Sequence, residues 1–355
     1  MLVGCFSSLY ESSGLLTLSS KELPKAKKLR LAKVAECYAL DLSFSYKGFL
    51  SWYVCNLIVV VLMLVGVAFF IVIERKGLGM LQLRQGPNKV SVKGILQAVA
   101  DGVKLFKKEF TFPSSLGKIS FSLGPLFCFF CAYGLYILFP SFFSESSFEL
   151  GLMFFLCVSC FNVYGVFLTG WLCNSRYAFL GAMRAVAQSI SYEVYLSTSV
   201  FSVLLFVGSY DFVLIRFNEY ACCFLSLGVL VLWFVAALAE TNRAPFDFVE
   251  GESELVAGYS VEYGGAGFAL LALAEYSNII FMSLVTGLLF FNVGMSWGFF
   301  GDLLLAVWTV FFSYFFVWVR GTVPRYRYDL LMQLCWTVLL PLSLGVFVLG
   351  LVLVC

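Results

Sequence analysis

The sequence predicts an all-α integral membrane protein with eight transmembrane helices and an amphipathic surface helix in the first connection. Three observations predict it. Of the 355 residues 61% are apolar and only 12% are charged, about half the charged share of an ordinary globular protein. Charge-free runs of about 20 residues, the length that spans a bilayer, recur along the chain. The runs are apolar all round, whereas barrel strands alternate polar and apolar residues, and this argues against a β-barrel.

Residues 1–47 form an N-terminal extension, serine-rich at first and basic from Lys21 to Lys33, with Leu23, Ala26, Leu29 and Ala32 on one helical face. It reads equally as a targeting segment or a surface helix. Residues 48–355 form the membrane domain. Its spans are expected at 48–73, 119–144, 150–175, 185–210 (broken by Glu193), 220–239, 276–301 (extending back to Tyr263 across Glu275), 303–319 and 330–355. The first connection, 74–118, is the longest and most polar. Gly86-Pro87-Asn88 reads as a turn in it. Beyond the turn, Ile95, Leu96, Val99, Val103, Phe106 and Phe110 recur at helical spacing opposite Gln97, Asp101, Lys104 and Lys108, and Pro113 ends the pattern. Such a helix lies along a membrane surface. The last connection gathers Arg320, Arg325 and Arg327 with Tyr326 and Tyr328, residues that anchor a chain at the interface and can also dock a soluble partner.

The placement of charge gives orientation. Connections after helices one, three, five and seven hold fifteen Lys or Arg, and the others only Arg216, so the odd connections face the cytoplasm or matrix. The seven basic residues of the N-terminal extension fall on the opposite side and do not follow this rule. Histidine is absent, which rules out bis-histidine haem and histidine-ligated zinc or iron sites within this chain. Cys128 with Cys131, and Cys157 with Cys160, have the spacing of a four-thiolate metal cluster between helices two and three, but sit inside apolar runs, where cysteine more often serves as a small packing residue. Neither a phosphate-binding glycine loop nor a dinucleotide fingerprint is present, so nicotinamide, flavin and ATP chemistry belong elsewhere.

The chemistry-bearing stretch is 240–262, where Glu240, Asp247, Glu250, Glu252, Glu254 and Glu262 fall within 23 positions with Arg243 the only cation. Six carboxylates in a confined, poorly solvated space share protons and titrate as a coupled set; on a hydrated loop they are ordinary acids. Glu193 and Glu275 lie inside apolar helices, where an ionised carboxylate costs at least about 2.5 kcal/mol and is usually inward-facing and functional. Together the acids read as a proton or cation path. Arg75, Arg84, Arg176, Arg184 and Arg243, with Phe246, Phe248 and Phe268, frame a slot for an amphipathic ligand with a polar head and an isoprenoid tail; singly, each arginine is an interfacial or ion-paired residue.

Four stretches resemble the chain-1 membrane subunit of respiratory complex I, NADH:ubiquinone oxidoreductase. They are ERKGLGMLQLRQGPNKV (74–90, continuing to Asp101 and Lys104–Glu109), RYAFLGAMRAVAQSISYE (176–193), the segment 239–280 ending AEYSNII, and RGTVPRYRYDLLM (320–332). The resemblance spans residues 48 to the C-terminus and implies an eight-helix subunit with a quinone tunnel, ubiquinone as substrate, and an acidic path into the proton-pumping membrane arm. It implies that Glu193, Glu240, Glu250, Glu252, Glu254 and Glu275 belong to that path, next to Glu262. Arg243 and Asp247, with Arg75, Gln82, Arg84 and Asp101, match the quinone-facing positions, and Phe268 a tunnel-lining one. NADH, FMN and iron-sulfur clusters would reside in partner subunits, including an iron-sulfur protein beside the quinone site, and the chain would carry no redox centre or metal. Other membrane-arm subunits and the lipid bilayer would be its remaining partners, with no nucleic acid. The inner mitochondrial membrane is the expected location, with the bacterial plasma membrane as the alternative. Two other readings use the same acids: a stand-alone proton or cation transporter, and the membrane anchor of a hydrogenase-like complex.

Overall fold

A computed structural model describes residues 46–109, 112, 117–140, 148–217, 227–247, 258–291 and 299–354. The chain divides into two units, Met1–Trp52 and Tyr53–Cys355. The basic stretch Lys21–Lys33 of the first lies outside the described residues.

The described elements are helical, with no strand among them. In chain order they are α1 (Tyr46–Leu81), α2 (Gln97–Lys107), α3 (Lys118–Gly134, continued by a 3-10 turn Leu135–Leu138), α4 (Gly151–Leu172), α5 (Arg176–Val207), α6 (Phe212–Phe217), α7 (Leu227–Glu240), α8 (Ala266–Phe290), α9 (Phe299–Thr322), α10 (Tyr328–Leu334) and α11 (Leu340–Val354). The last two join through a π turn, Cys335–Leu339, into one span. Seven helices are long and apolar enough to cross a membrane; α7 is equally apolar, but its described part is shorter. The expected spans therefore have a helix each, and the count of long spans among the described residues is seven rather than eight.

Boundaries moved where charge had been read as an end. The first helix continues past Glu74, Arg75 and Lys76 to Leu81, and the fourth span starts at Arg176, nine residues before the expected 185. At about 1.5 Å per residue, the 32-residue α5 is longer than the roughly 30 Å hydrocarbon core. Its charged first turns can then lie beyond the lipid while the helix remains unbroken.

Small residues set the packing, as expected where lipid supplies no hydrophobic drive between helices. A Cβ on Gly170 of α4 would lie 2.1 Å from the Ala182 Cβ of α5, and one on Gly165 would lie 2.6 Å from the Cys128 sulfur of α3. Helix α5 packs against α4, α7 and α11, and α8 against α3 and α9. Trp233, Tyr192, Tyr195, Phe281 and Phe290 fill the space between them. Tyrosine hydroxyls reach backbone carbonyls across the bundle: Tyr136 donates to Ser277 at 2.7 Å and Tyr192 to Leu331 at 3.4 Å. Leu57, Leu62, Val65 and Ile73 of α1 point outward, as lipid-facing side chains do.

On the even-connection side, Arg216 of α6 is 1% exposed; it donates to the Pro140 carbonyl at 2.9 Å and pairs with Asp302 in the first turn of α9. The lone cation of those connections thus fastens α6 to its neighbours. On the opposite side α2 is amphipathic, with none of its residues buried and Val99, Val103 and Phe106 exposed along one face.

Candidate functional site

Three membrane carboxylates are brought towards one region. Glu240 ends α7, Glu275 lies in α8, and Glu193 lies midway along α5. Glu240 and Glu275 line one small cavity together with Cys128, Asn162, Asn242 and Asn278. A second, more apolar cavity extends from Glu240 and Asn278 past Ser159 to Phe155 and Phe281. Glu193 is close enough to Glu240 for the two charges to interact. Glu193 Oε1, Glu240 Oε2 and Asn278 Oδ1 are buried acceptors that meet no donor among the described residues. Buried polar atoms ordinarily have hydrogen-bond partners, so acceptors left open in this way are uncommon.

The segment after α7 is held by side chains from three directions. The Gln188 amide of α5 donates to the Ala239 carbonyl at 3.2 Å and to that of Phe246 at 3.1 Å. Arg243 lies 3.1 Å from Glu74 of α1, which also pairs with Arg320 of α9. The guanidinium of Arg243 sits 4.4 Å from the centre of the Tyr276 ring. Burial works against its charge, but Glu74 foremost, then Tyr276 and Glu275, outweigh burial and push its pKa up, so Arg243 is a fixed cation. Asp247 pairs with Arg325 at 3.2 Å, and the Tyr326 amide donates to the Pro245 carbonyl at the same distance. Phe246 is buried between Tyr192 and Tyr326, whose ring centroids lie 6.0 and 6.1 Å away.

The first connection contributes a separate group. Arg75 pairs with Asp101 at 2.6 Å, and Gln97 donates to the other Asp101 oxygen at 2.9 Å. Gln82 and Arg84 are exposed in the turn after α1. That turn folds back tightly: a Cβ on Gly86 would lie 2.8 Å from the Lys76 Cα, and one on Gly94, at φ +76°, would lie 2.2 Å from the Pro87 oxygen.

The expected site residues are thus partly assembled. Arg243, Phe246 and Asp247 form one buried group, Arg75 and Asp101 an exposed pair, and Glu193, Glu240 and Glu275 a half-buried set. Glu262 is exposed in the turn before α8 and does not line the shared cavity. Phe268 is 42% exposed near the start of α8, Arg176 is exposed, and Arg184 is half-buried. Neither cavity is lined by the arginines that the sequence assigns to a ligand slot. Glu250, Glu252, Glu254 and Phe248 lie outside the described residues. The two cysteine pairs do not converge: Cys128 is buried against Gly165, whereas Cys157 and Cys160 are exposed. Among the described residues no group of three or more His, Cys, Asp or Glu could hold a metal.

Sequence reasoning missed Glu74, Arg320, Arg325 and Tyr259 as members of these groups. Glu74 ends an apolar run, and Arg320 and Arg325 sit in the one arginine cluster near the C-terminus, so a signal was present for those three. The Tyr259 phenol donates to Glu275, and nothing in its spacing singles it out.

The model of the family described as "NADH dehydrogenase" matches residues 54–351. The chain is similar to "NADH-ubiquinone oxidoreductase chain 1" of Heterololigo bleekeri, 49% identical over 285 residues, which cover 80% of this chain and 91% of that one. The protein of the same name from Aedes aegypti is 46% identical over 295 residues, covering 82% and 92%. That of Chondrus crispus is 42% identical over 294 residues, covering 80% and 90%.

Proposed function

Since the chain belongs to the NADH dehydrogenase family and is a chain-1 subunit of NADH-ubiquinone oxidoreductase, we propose that it forms the quinone tunnel of that complex and couples quinone reduction to proton translocation through its buried carboxylates. The subunit provides the slot and the proton path; an iron-sulfur protein of the redox arm delivers electrons to the ubiquinone held there.

One observation carries the reading: Glu240 and Glu275 share a cavity, while Arg243, three residues beyond Glu240, is locked into a buried ion network with Glu74. A change of charge or position at the loop is therefore felt within a few residues of the membrane acids. In a low-dielectric setting such a change is weakly screened, so it shifts which carboxylate holds a proton. Arg243, Phe246 and Asp247 lie in the buried segment after α7, and Arg75 and Asp101 present polar groups at the first connection. These residues guide the quinone head group. The wide apolar faces of the helices and the histidine-free, phenylalanine-rich composition fit a multi-pass protein of the mitochondrial inner membrane, with the odd connections towards the matrix.

The test is Glu240→Gln in the intact complex. It is expected to assemble and to lose proton pumping and coupled quinone reduction together. Undiminished pumping would remove the acidic chain from the mechanism. A photoreactive quinone analogue, crosslinked to the native complex, should label peptides around Arg75–Asp101 or Arg243–Asp247.

A further inference from the structure

Tyr259 lies in the 3-10 turn Gly258–Ser260 ahead of α8 and is 3% exposed. Its phenol donates to Oε1 of Glu275. Tyr259 also lines the cavity that Glu240 and Glu275 share, so this hydrogen bond is made at that cavity. Arg243 is among the groups whose charge bears on Glu275.

The turn carrying Tyr259 is fastened to the bundle on several sides. Gly181 of α5 comes so close that a Cβ there would lie 3.0 Å from the Gly258 carbonyl carbon. The Cys173 thiol donates to the Tyr259 carbonyl at 3.8 Å. Burial, with the Glu262 charge adding to it, pushes that thiol up to about 11, so it keeps its proton at neutral pH. Tyr263 stacks on Phe121 at 4.3 Å and donates to the Phe121 and Thr169 carbonyls at 3.2 and 3.3 Å. The phenol of Tyr259 is therefore a fixed donor on a fixed turn.

We propose that Tyr259 is a positioning residue of the acidic chain: its phenol holds the Glu275 carboxylate towards the cavity shared with Glu240 and ties its placement to the turn that ends the loop. A donor at a set point discriminates between the ionised and protonated carboxyl. Tyr259 thus contributes to the timing of proton passage without taking up a proton itself. The proposal rests on the reading of Glu240 and Glu275 as proton carriers.

The experiment uses the intact complex with Tyr259→Phe, Tyr259→His and Glu275→Gln. Tyr259→Phe removes one oxygen and is expected to leave assembly and the quinone KM unchanged. It should lower pumping-coupled turnover about tenfold, the fold-change that corresponds to losing a hydrogen bond to a charged group. It should also shift the infrared carboxyl band that disappears in Glu275→Gln. Tyr259→His, which restores a ring donor, should recover part of the rate. Wild-type turnover and an unmoved band in Tyr259→Phe, beside a loss in Glu275→Gln, overturn the role of Tyr259 and leave the acidic chain standing. Wild-type pumping in Glu275→Gln overturns both. Failure of Tyr259→Phe to assemble shows that the oxygen serves folding, and overturns the proposal as well.

Discussion

Glu74 of α1 and Arg243 of the segment after α7, 169 positions apart in sequence, meet at 3.1 Å inside the protein. Arg320 of α9 completes the pairing on the same carboxylate oxygen. Two guanidiniums thus depend on one carboxylate, and their stakes differ: the Arg243 side chain is 9% exposed and that of Arg320 is 32% exposed.

Glu74→Leu is expected to destabilise the assembled subunit by about 3–5 kcal/mol, because it leaves a buried cation without its partner. Arg243→Met should cost less, since Glu74 keeps Arg320. Steady-state amounts of the complex on native gels, compared for the two variants, provide the check. Equal amounts for Glu74→Leu and wild type would show the cluster to be structurally neutral.

Glycine positions separate packing from exposure. Gly170→Ala places a methyl 2.1 Å from the Ala182 Cβ, so α4 and α5 must part, at a cost of about 1–3 kcal/mol. Gly66→Ala on α1 meets nothing within 4 Å and should be neutral or stabilising by up to about 1 kcal/mol through helix propensity. Thermal inactivation of the complex should order the variants Gly170→Ala, wild type, Gly66→Ala, from least to most stable.

The acids are expected to divide by location. Glu193→Gln should cut coupled quinone reduction to less than about a tenth, a barrier increase of at least about 1.4 kcal/mol. Glu262→Gln, in an exposed turn, should leave the rate unchanged. Quinone reduction rates of the complex in reconstituted vesicles measure both. Equal losses would place Glu262 back in the path.

Arg216→Met removes the cation that donates to Pro140 and pairs with Asp302. It leaves a carboxylate 25% exposed rather than fully enclosed, so the loss should be about 1–3 kcal/mol. The expected result is reduced assembly with a normal quinone KM in the enzyme that does assemble; a raised KM with normal assembly would contradict this.

Helices were legible because lipid demands long apolar runs. Their ends were less so. Glu74 ends one apolar run and Arg184 precedes another, but α1 runs on to Leu81 and α5 starts back at Arg176 because backbone hydrogen bonding is indifferent to what the side chains face. The membrane acids were legible for an energetic reason: Glu193 and Glu275 are costly where they stand. Pairings such as Glu74 with Arg243 or Asp247 with Arg325 leave no trace in periodicity, since they join residues from distant helices. Tyr259 was hidden for another reason. A tyrosine at a membrane boundary is commonplace, and only its distance from Glu275 distinguishes it.

The Gln188 side chain spans the carbonyls of Ala239 and Phe246 and so fixes the length of chain allowed between them. One added or deleted residue in that stretch would pull an anchor from its donor and swing Arg243 off its carboxylate. The number of residues between those two anchors is therefore as much a part of the ion network as the charges it joins.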